Sequence, residues 1–286
     1  MLTIFAIPKP FTGIDDIHQR NAINSWKQVV DGRDIVLIGG EETQRVAREL
    51  GVECATGLKT NTLGTPLVSS AFEIVHNKTN SPYLAYANCD MILFSNFKSA
   101  FEMLRQCDQL ESFFATTRRI DLALDKLVDF QNETEVAKLK QDAATTGVAE
   151  SLVCKDVMLF PRDLFEAIPD FAVGRGNWDN WMVFRAKQLG VPIVRLTSDF
   201  QTIHQSHSYS EKLGSRLSCY VTSAEARENQ RLAGGKHLIN GTTSDYRLNC
   251  NGLYPQRMKW LYGEFWRDSP KFAALLIQLI GLGRKN

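Results

Sequence analysis

Short, unbroken apolar runs alternate along this chain with stretches whose apolar residues recur at helical spacing. The runs are Leu2–Ile7, Asp34–Ile38, Val52–Ala55, Tyr83–Ala87, Phe113–Thr117, Leu152–Phe160 and Val191–Thr197. Between them, Ile17, Ile23, Trp26, Val29 and Val30 predict one helix, Val46, Ala47 and Leu50 a second, and Leu67, Val68, Ala71, Phe72 and Val75 a third. Phe97, Phe101 and Leu104 predict a fourth, and Met182, Val183, Ala186 and Leu189 a later one. Strands without polar alternation are covered on both faces, so the β-α-β-α-β order predicts a mainly parallel sheet between helical layers.

Local signals add boundaries. Pro8-Lys9-Pro10 stops the first strand, since two prolines cannot continue a ladder. Asp15 or Asp16 is expected to cap the first helix, and Thr65-Pro66 to supply the N-cap and first-turn proline of the third. The polar stretch from Asp125 to Glu150 is read as a helix-prone surface insertion. Glu225 to Ala233 is expected as a charged helix ended by Gly234-Gly235, and Asn249 to Tyr254 as a loop. The expected organisation is one α/β domain over 1–210 and a C-terminal helical extension, 211–286, packed on it.

Polar residues where strands should end carry the candidate chemistry, because ligands of open α/β sheets sit beyond the carboxyl ends of the strands. The strand at Tyr83 runs out into Asn88-Cys89-Asp90. Two apart on an extended chain, Asn88 and Asp90 would project to one side and address one ligand, of which a hard divalent cation is the natural choice. Asp90 reads equally as a strand-end turn former or a helix cap. Phe171 to Trp181 contains the turn Gly174-Arg175-Gly176 followed by Asp179 at a helix start, with Trp178 and Trp181 as a wall for a sugar ring or, alternatively, as core residues. Arg118-Arg119 at a strand exit suits a diphosphate or an acidic acceptor. Lys59 to Gly64 is a polar loop within reach of a base or phosphate, or a plain connection. His204 and His207, three apart after a strand, are candidates for a metal or phosphate contact.

Bulk composition narrows the class without choosing a reaction. The 286 residues, 44% hydrophobic and 23% charged, are those of an ordinary globular protein, and a net charge of +1 gives no general attraction to nucleic acid. Six cysteines, without Cys-x-x-Cys or zinc-type spacing, read as reduced thiols in a cytoplasmic protein. The chain has neither a Gly-x-Gly-x-x-Gly fingerprint nor a Walker loop, which counts against dinucleotide oxidoreductases and P-loop kinases. Residues 256–267 mix cations with aromatics, as an acceptor platform, an interfacial helix or a packed appendage would. The apolar run Phe272–Leu282 is too short to span a bilayer, yet with Arg284 and Lys285 it leaves peripheral attachment to the inner face of a membrane open.

Taken together, Asn88-Cys89-Asp90, Gly174-Arg175-Gly176, Asp179 in Trp178-Asp179-Asn180 and His204 resemble, in order and spacing, the motifs of GT-A nucleotide-sugar-dependent glycosyltransferases of the bacterial polysaccharide-biosynthesis type. The resemblance covers about residues 2–210. It implies a GT-A, Rossmann-like sheet, a Mn²⁺ or Mg²⁺ ion held by Asp90 and His204 (or His207), and Asp179 as the base of an inverting transfer. It places the donor against Pro8, Asn88, Asp90, Arg118, Gly174 and Arg175, and the acceptor would be a glycan or lipid-linked saccharide. Two positions depart from the pattern, Asn88 for an Asp and Asn180 for a second acidic residue. The rival readings are a catalytically silent nucleotide-sugar or glycan-binding protein and a sugar-phosphate nucleotidyltransferase, although Pro8 to Gly13 lacks the latter's phosphate loop.

Overall fold

The computed structural model describes residues 1–149, 155–206, 218–235 and 244–256. In chain order the elements are β1 (Leu2–Ala6), α1 (Gly13–Trp26), β2 (Ile35–Ile38), α2 (Glu41–Leu50), β3 (Glu53–Ala55), α3 (Val68–Lys78), β4 (Tyr83–Ala87), β5 (Met91–Ile92) and α4 (Ser95–Arg105). There follow β6 (Phe114–Thr116), β7 (Arg119–Leu122), α5 (Glu133–Thr145), β8 (Val148–Ala149), β9 (Val157–Pro161), α6 (Trp178–Gln188), β10 (Ile193–Leu196), β11 (Thr202–Gln205), α7 (Ala224–Leu232), β12 (Tyr246–Asn249) and β13 (Gly252–Pro255).

Among the described residues the main sheet has nine strands in the order β13-β12-β10-β6-β9-β4-β1-β2-β3. Neighbours pair in parallel except around β9, which runs against both β4 and β6, and at β13, which runs against β12. The mixed, mainly parallel α/β architecture expected from the apolar runs is therefore present. One face carries Ile23, Trp26, Val46, Ala47, Phe97 and Phe101 from α1, α2 and α4. The other carries Val68, Ala71, Phe72, Met182 and Val183 from α3 and α6. A second sheet, β5-β11-β7-β8, lies across the carboxyl end of β4, with Leu139 and Ala143 of α5 beneath it.

Several expectations are corrected. Asp15 and Asp16 sit in the first turn of α1, whose N-cap is Thr12, and the helix stops at Trp26, with Val29 and Val30 in the turn beyond it. Thr65-Pro66 does not open α3. Pro66 bridges Thr60, its carbonyl accepts from Val173 N–H at 2.9 Å, and Val68 N–H reaches the carbonyl of Phe171 at 2.9 Å. Pairing with distant backbone thus outweighs the local cap signal. Asn249 to Tyr254 is a hairpin rather than a loop.

The boundary expected near residue 210 is crossed by the main sheet itself, because β12 pairs in parallel with β10. Trp178 is buried edge-on to Tyr86 at 5.1 Å between centroids and is a core residue, not a wall for a sugar, whereas half-buried Trp181 packs on Phe165 and Phe171. His207, the start of the strand expected from Leu152, and the segments 257–267 and 272–282 lie outside the described residues.

Candidate active site

The site gathers where β4 ends. Backbone register explains why: Ala87 pairs with Val157, so Asn88 follows beside Asp156, and Asn88 N–H donates to the Asp156 carbonyl at 2.9 Å. Because β9 runs antiparallel to its neighbours, its beginning rather than its end meets the carboxyl edge of the sheet. That arrangement delivers Lys155 and Asp156 to the site.

Asn88 and Asp90 do not lie on extended chain. The Asn88 carbonyl accepts from Met91 N–H at 3.0 Å, which closes a turn and sends the two side chains to different partners. Asn88 Nδ2 donates to Asp156 Oδ1 at 2.9 Å. Asp90 Oδ2 lies 3.5 Å from His204 Nε2. The other imidazole nitrogen, Nδ1, meets Asp121 Oδ1 at 3.1 Å, and Arg119 spans Asp121 at 3.0 Å and Asp156 at 2.6 Å. One continuous polar chain therefore runs from Asn88 through Asp156, Arg119, Asp121 and His204 to Asp90. Its last part is set by the small sheet, where His204 pairs with Asp121 on one side and Met91 on the other.

Burial disfavours the charged form of His204, but the carboxylates of Asp121 and Asp90 outweigh it and push its pKa up to about 9. Nδ1 is committed to Asp121, and Nε2 is turned toward Asp90, the arrangement in which a carboxylate orients a metal-binding imidazole. The residues would fit a divalent ion that displaces the Nε2 proton while Asp121 still holds Nδ1. Among the described residues no group of three or more His, Cys, Asp or Glu could hold such an ion, so the protein would supply Asp90 and His204 and leave the other positions to phosphate oxygens and water.

Asp179 lies in the first turn of α6, after Asn177 in the left-handed region at φ 77°. Its Oδ1 accepts from Asn180 N–H at 2.8 Å, and the Asn180 side-chain carbonyl accepts from buried Lys155 Nζ at 2.6 Å. Burial pushes the Asp179 carboxyl up; the Lys155 charge and the Asn180 N–H pull it down, and Asp156 adds to the rise. Tyr86, fully buried, ties the two halves together. Its hydroxyl is pushed up by burial and then by charge on Cys89, Asp90, Asp156 and Asp179, so both predicted acids lie within electrostatic reach of one side chain.

The glycine turn is built from outside. Gly174 is exposed at φ 71°, and a Cβ on Gly176 would fall 2.2 Å from the carbonyl oxygen of Tyr220. Arg175 is bound to Glu225 of α7 at 2.6 and 2.8 Å. Burial raises the Glu225 carboxyl, but hydrogen bonds from Thr65, Asn61 and Arg175 outweigh it and hold the group below the usual carboxylate range. Asn229, also on α7 and buried, accepts from Ala172 N–H at 2.8 Å and donates to the carbonyls of Ala172 and Gly176 at 3.0 and 3.1 Å. Helix α7 thus clamps the turn that leads into Asp179, and the Lys59–Gly64 loop joins it through Asn61.

Of the remaining predicted contacts, Pro8 follows β1, which pairs with β4, and the adjacent Lys9 is felt electrostatically at Cys89. Arg118 is exposed and stays out of the chain, which Arg119 enters instead. Sequence reasoning passed over Asp121, Lys155, Asp156, Glu225 and Asn229. Two faint signals existed: Arg119 and Asp121 alternate on a strand, and Lys155-Asp156 places two charges at the head of an apolar run.

No family model matches the sequence, and no curated protein matches it. Among solved structures, Staphylococcus aureus TarS 1-349 in complex with UDP-GlcNAc is similar at TM-score 0.48 and 11% identity, over 82% of this chain and 65% of that one. Glucosyl-3-phosphoglycerate synthase of Mycobacterium tuberculosis is similar at 0.48 and 12%, over 82% and 81%. The mannosyltransferase PcManGT of Pyrobaculum calidifontis with GDP-Man and Mn²⁺ is similar at 0.46 and 11%, over 73% and 58%. This chain therefore spans less than two thirds of the TarS and PcManGT chains. At these values the likeness fixes neither substrate nor mechanism.

Proposed function

We propose that this chain is a glycosyltransferase that moves a sugar from a nucleoside-diphosphate donor to a hydroxyl of a glycan or lipid-linked saccharide, with inversion. The observation that carries the reading is convergence: Asn88, Asp90, Asp156 and His204 form one bonded chain at the end of β4, and Asp179 lies within electrostatic reach of Asp156. Asp90 and His204 would hold Mn²⁺ or Mg²⁺, which as a Lewis acid neutralises charge on the departing diphosphate. Pro8, Asn88 and the Gly174-Arg175 turn would border the donor. Arg175 is already paired with Glu225, so it shapes the turn before it contacts phosphate.

In the transfer the acceptor oxygen forms its bond to the anomeric carbon as the bond from that carbon to the diphosphate oxygen breaks. The hydroxyl proton passes to a carboxylate oxygen of Asp179. Burial raises the basicity of that carboxylate, and the Lys155 charge opposes the rise. The protein's setting in this reading is cytoplasmic, with peripheral contact to the inner membrane face and no nucleic-acid partner. No described helix is long and apolar enough to cross a membrane.

The test is calorimetry with a panel of nucleotide sugars, with and without Mn²⁺, followed by transfer and donor-hydrolysis assays. Asp179→Asn is expected to keep donor affinity and lose about 10²–10⁴-fold in rate, whereas Asp90→Ala loses metal-dependent donor binding. Near wild-type transfer by Asp179→Asn refutes the base assignment. Saturable donor binding with no turnover on any acceptor makes the chain a silent binding protein.

A further inference from the structure

Arg195, the third residue of β10, has only 8% of its surface exposed. Its hydrogen bonds are both made by Nη2, to Ser244 Oγ and Gln256 Oε1 at 3.1 Å each, and both acceptors are neutral. The charges that act on it are those of Arg247, its direct neighbour across the β10–β12 ladder, and Arg118, two residues beyond its β6 partner Thr116. No carboxylate among the described residues pairs with it. Burial, then those two like charges, lowers its pKa. A buried charge persists in folded proteins when something of opposite sign compensates it.

Arg247 and Arg118 are both exposed, so the buried Arg195 has two solvent-facing arginines beside it, on β12 and just beyond β6. Neither Arg195 nor Arg247 belongs to the chain from Asn88 to Asp90, and Arg118 stays outside it while its neighbour Arg119 does not.

We propose that Arg195, Arg247 and Arg118 form an oxyanion site, distinct from the bonded chain that runs from Asn88 to Asp90, that takes a phosphate group. Guanidinium groups match phosphate oxygens in pairs, and a ligand there supplies the negative charge that no described residue gives Arg195. The inference goes beyond the glycosyltransferase reading and does not need it.

The experiment is titration calorimetry of inorganic phosphate into the full chain at constant ionic strength set with chloride, with and without a saturating nucleoside diphosphate and Mn²⁺. Saturable phosphate binding that survives the nucleotide is expected, weakened roughly tenfold in Arg247→Ala and lost in Arg195→Gln. In phosphate-free buffer Arg195→Gln is expected to melt no lower than wild type, because it removes a buried cation that no carboxylate among the described residues compensates; a purely structural arginine would instead cost stability. Binding no stronger than chloride, displacement of phosphate by the nucleotide, or wild-type affinity in Arg247→Ala overturns the proposal. Arg247 is exposed, so that variant decides the matter even if Arg195→Gln fails to fold. Phosphate binding without any nucleotide binding would sink the glycosyltransferase reading and leave this site standing.

Discussion

Replacing Asn229 by Ala removes three hydrogen bonds at one buried point: the one from Ala172 N–H and those to the carbonyls of Ala172 and Gly176. Each neutral bond contributes about 1 kcal/mol net, and the backbone groups left behind are buried, so the loss is about 3 kcal/mol. Alanine is the better helix former, which returns about 0.5 kcal/mol within α7. The net cost of about 2.5 kcal/mol corresponds to a fall in melting temperature of about 4 °C for a chain of this size. Asn229→Asp keeps the acceptor and loses both donors, so it should fall at least as far, since a carboxylate would then face two carbonyls. Calorimetric melting of the three proteins tests the argument, and urea titration checks that the slope is unchanged. A melting temperature for Asn229→Ala within about 1 °C of wild type would mean that the glycine turn is not held by α7 and that the clamp is irrelevant to the fold.

Three further outcomes follow from the same geometry. Asp179→Asn should raise stability at neutral pH: burial raises the Asp179 carboxyl in the folded protein, which therefore holds its proton more tightly than the unfolded chain. Stability attributable to this group declines as pH rises from the unfolded value through the folded one, and the neutral amide escapes that cost; melting curves at pH 4 and pH 8 should show the variant's advantage only at the higher pH. Lys155→Met removes the charge that opposes that rise, so the acid limb of the pH-rate profile should move to higher pH while donor affinity holds; an unmoved limb refutes the role given to Lys155. Gly176→Ala drives a methyl into the Tyr220 carbonyl at 2.2 Å, a backbone atom that cannot swing aside, and should weaken donor binding and lower the melting temperature together.

The sheet was readable because Ile35-Val36-Leu37-Ile38 and its counterparts are apolar on both faces and therefore belong between two helical layers. The place of Asp179 in the first turn of α6 was readable for a local reason, a glycine turn followed by a helical pattern. What stayed hidden depends on long-range pairing. Asp156 meets Asn88 only because β9 runs antiparallel to β4, and nothing in Val157 to Phe160 announces strand direction. Asp121 reaches His204 across a ladder that joins residues 83 apart. Thr65-Pro66 misled because a valid local cap signal lost to backbone bonds with Phe171 and Val173.

The small sheet acts as a gauge for the candidate metal position. Gln205 N–H is bonded to the Asp90 carbonyl at 3.0 Å, and His204 is held between two partner strands, so the gap between carboxylate and imidazole is measured out in whole residues. A strand alternates its side chains, so lengthening or shortening the connection at residues 197–201 by one residue would turn the imidazole to the far surface and bring a neighbour round in its place. Evolution of this corner would then proceed by exchange of side chains and not by insertion or deletion, even though the nine-stranded sheet beside it would be untouched by such a change.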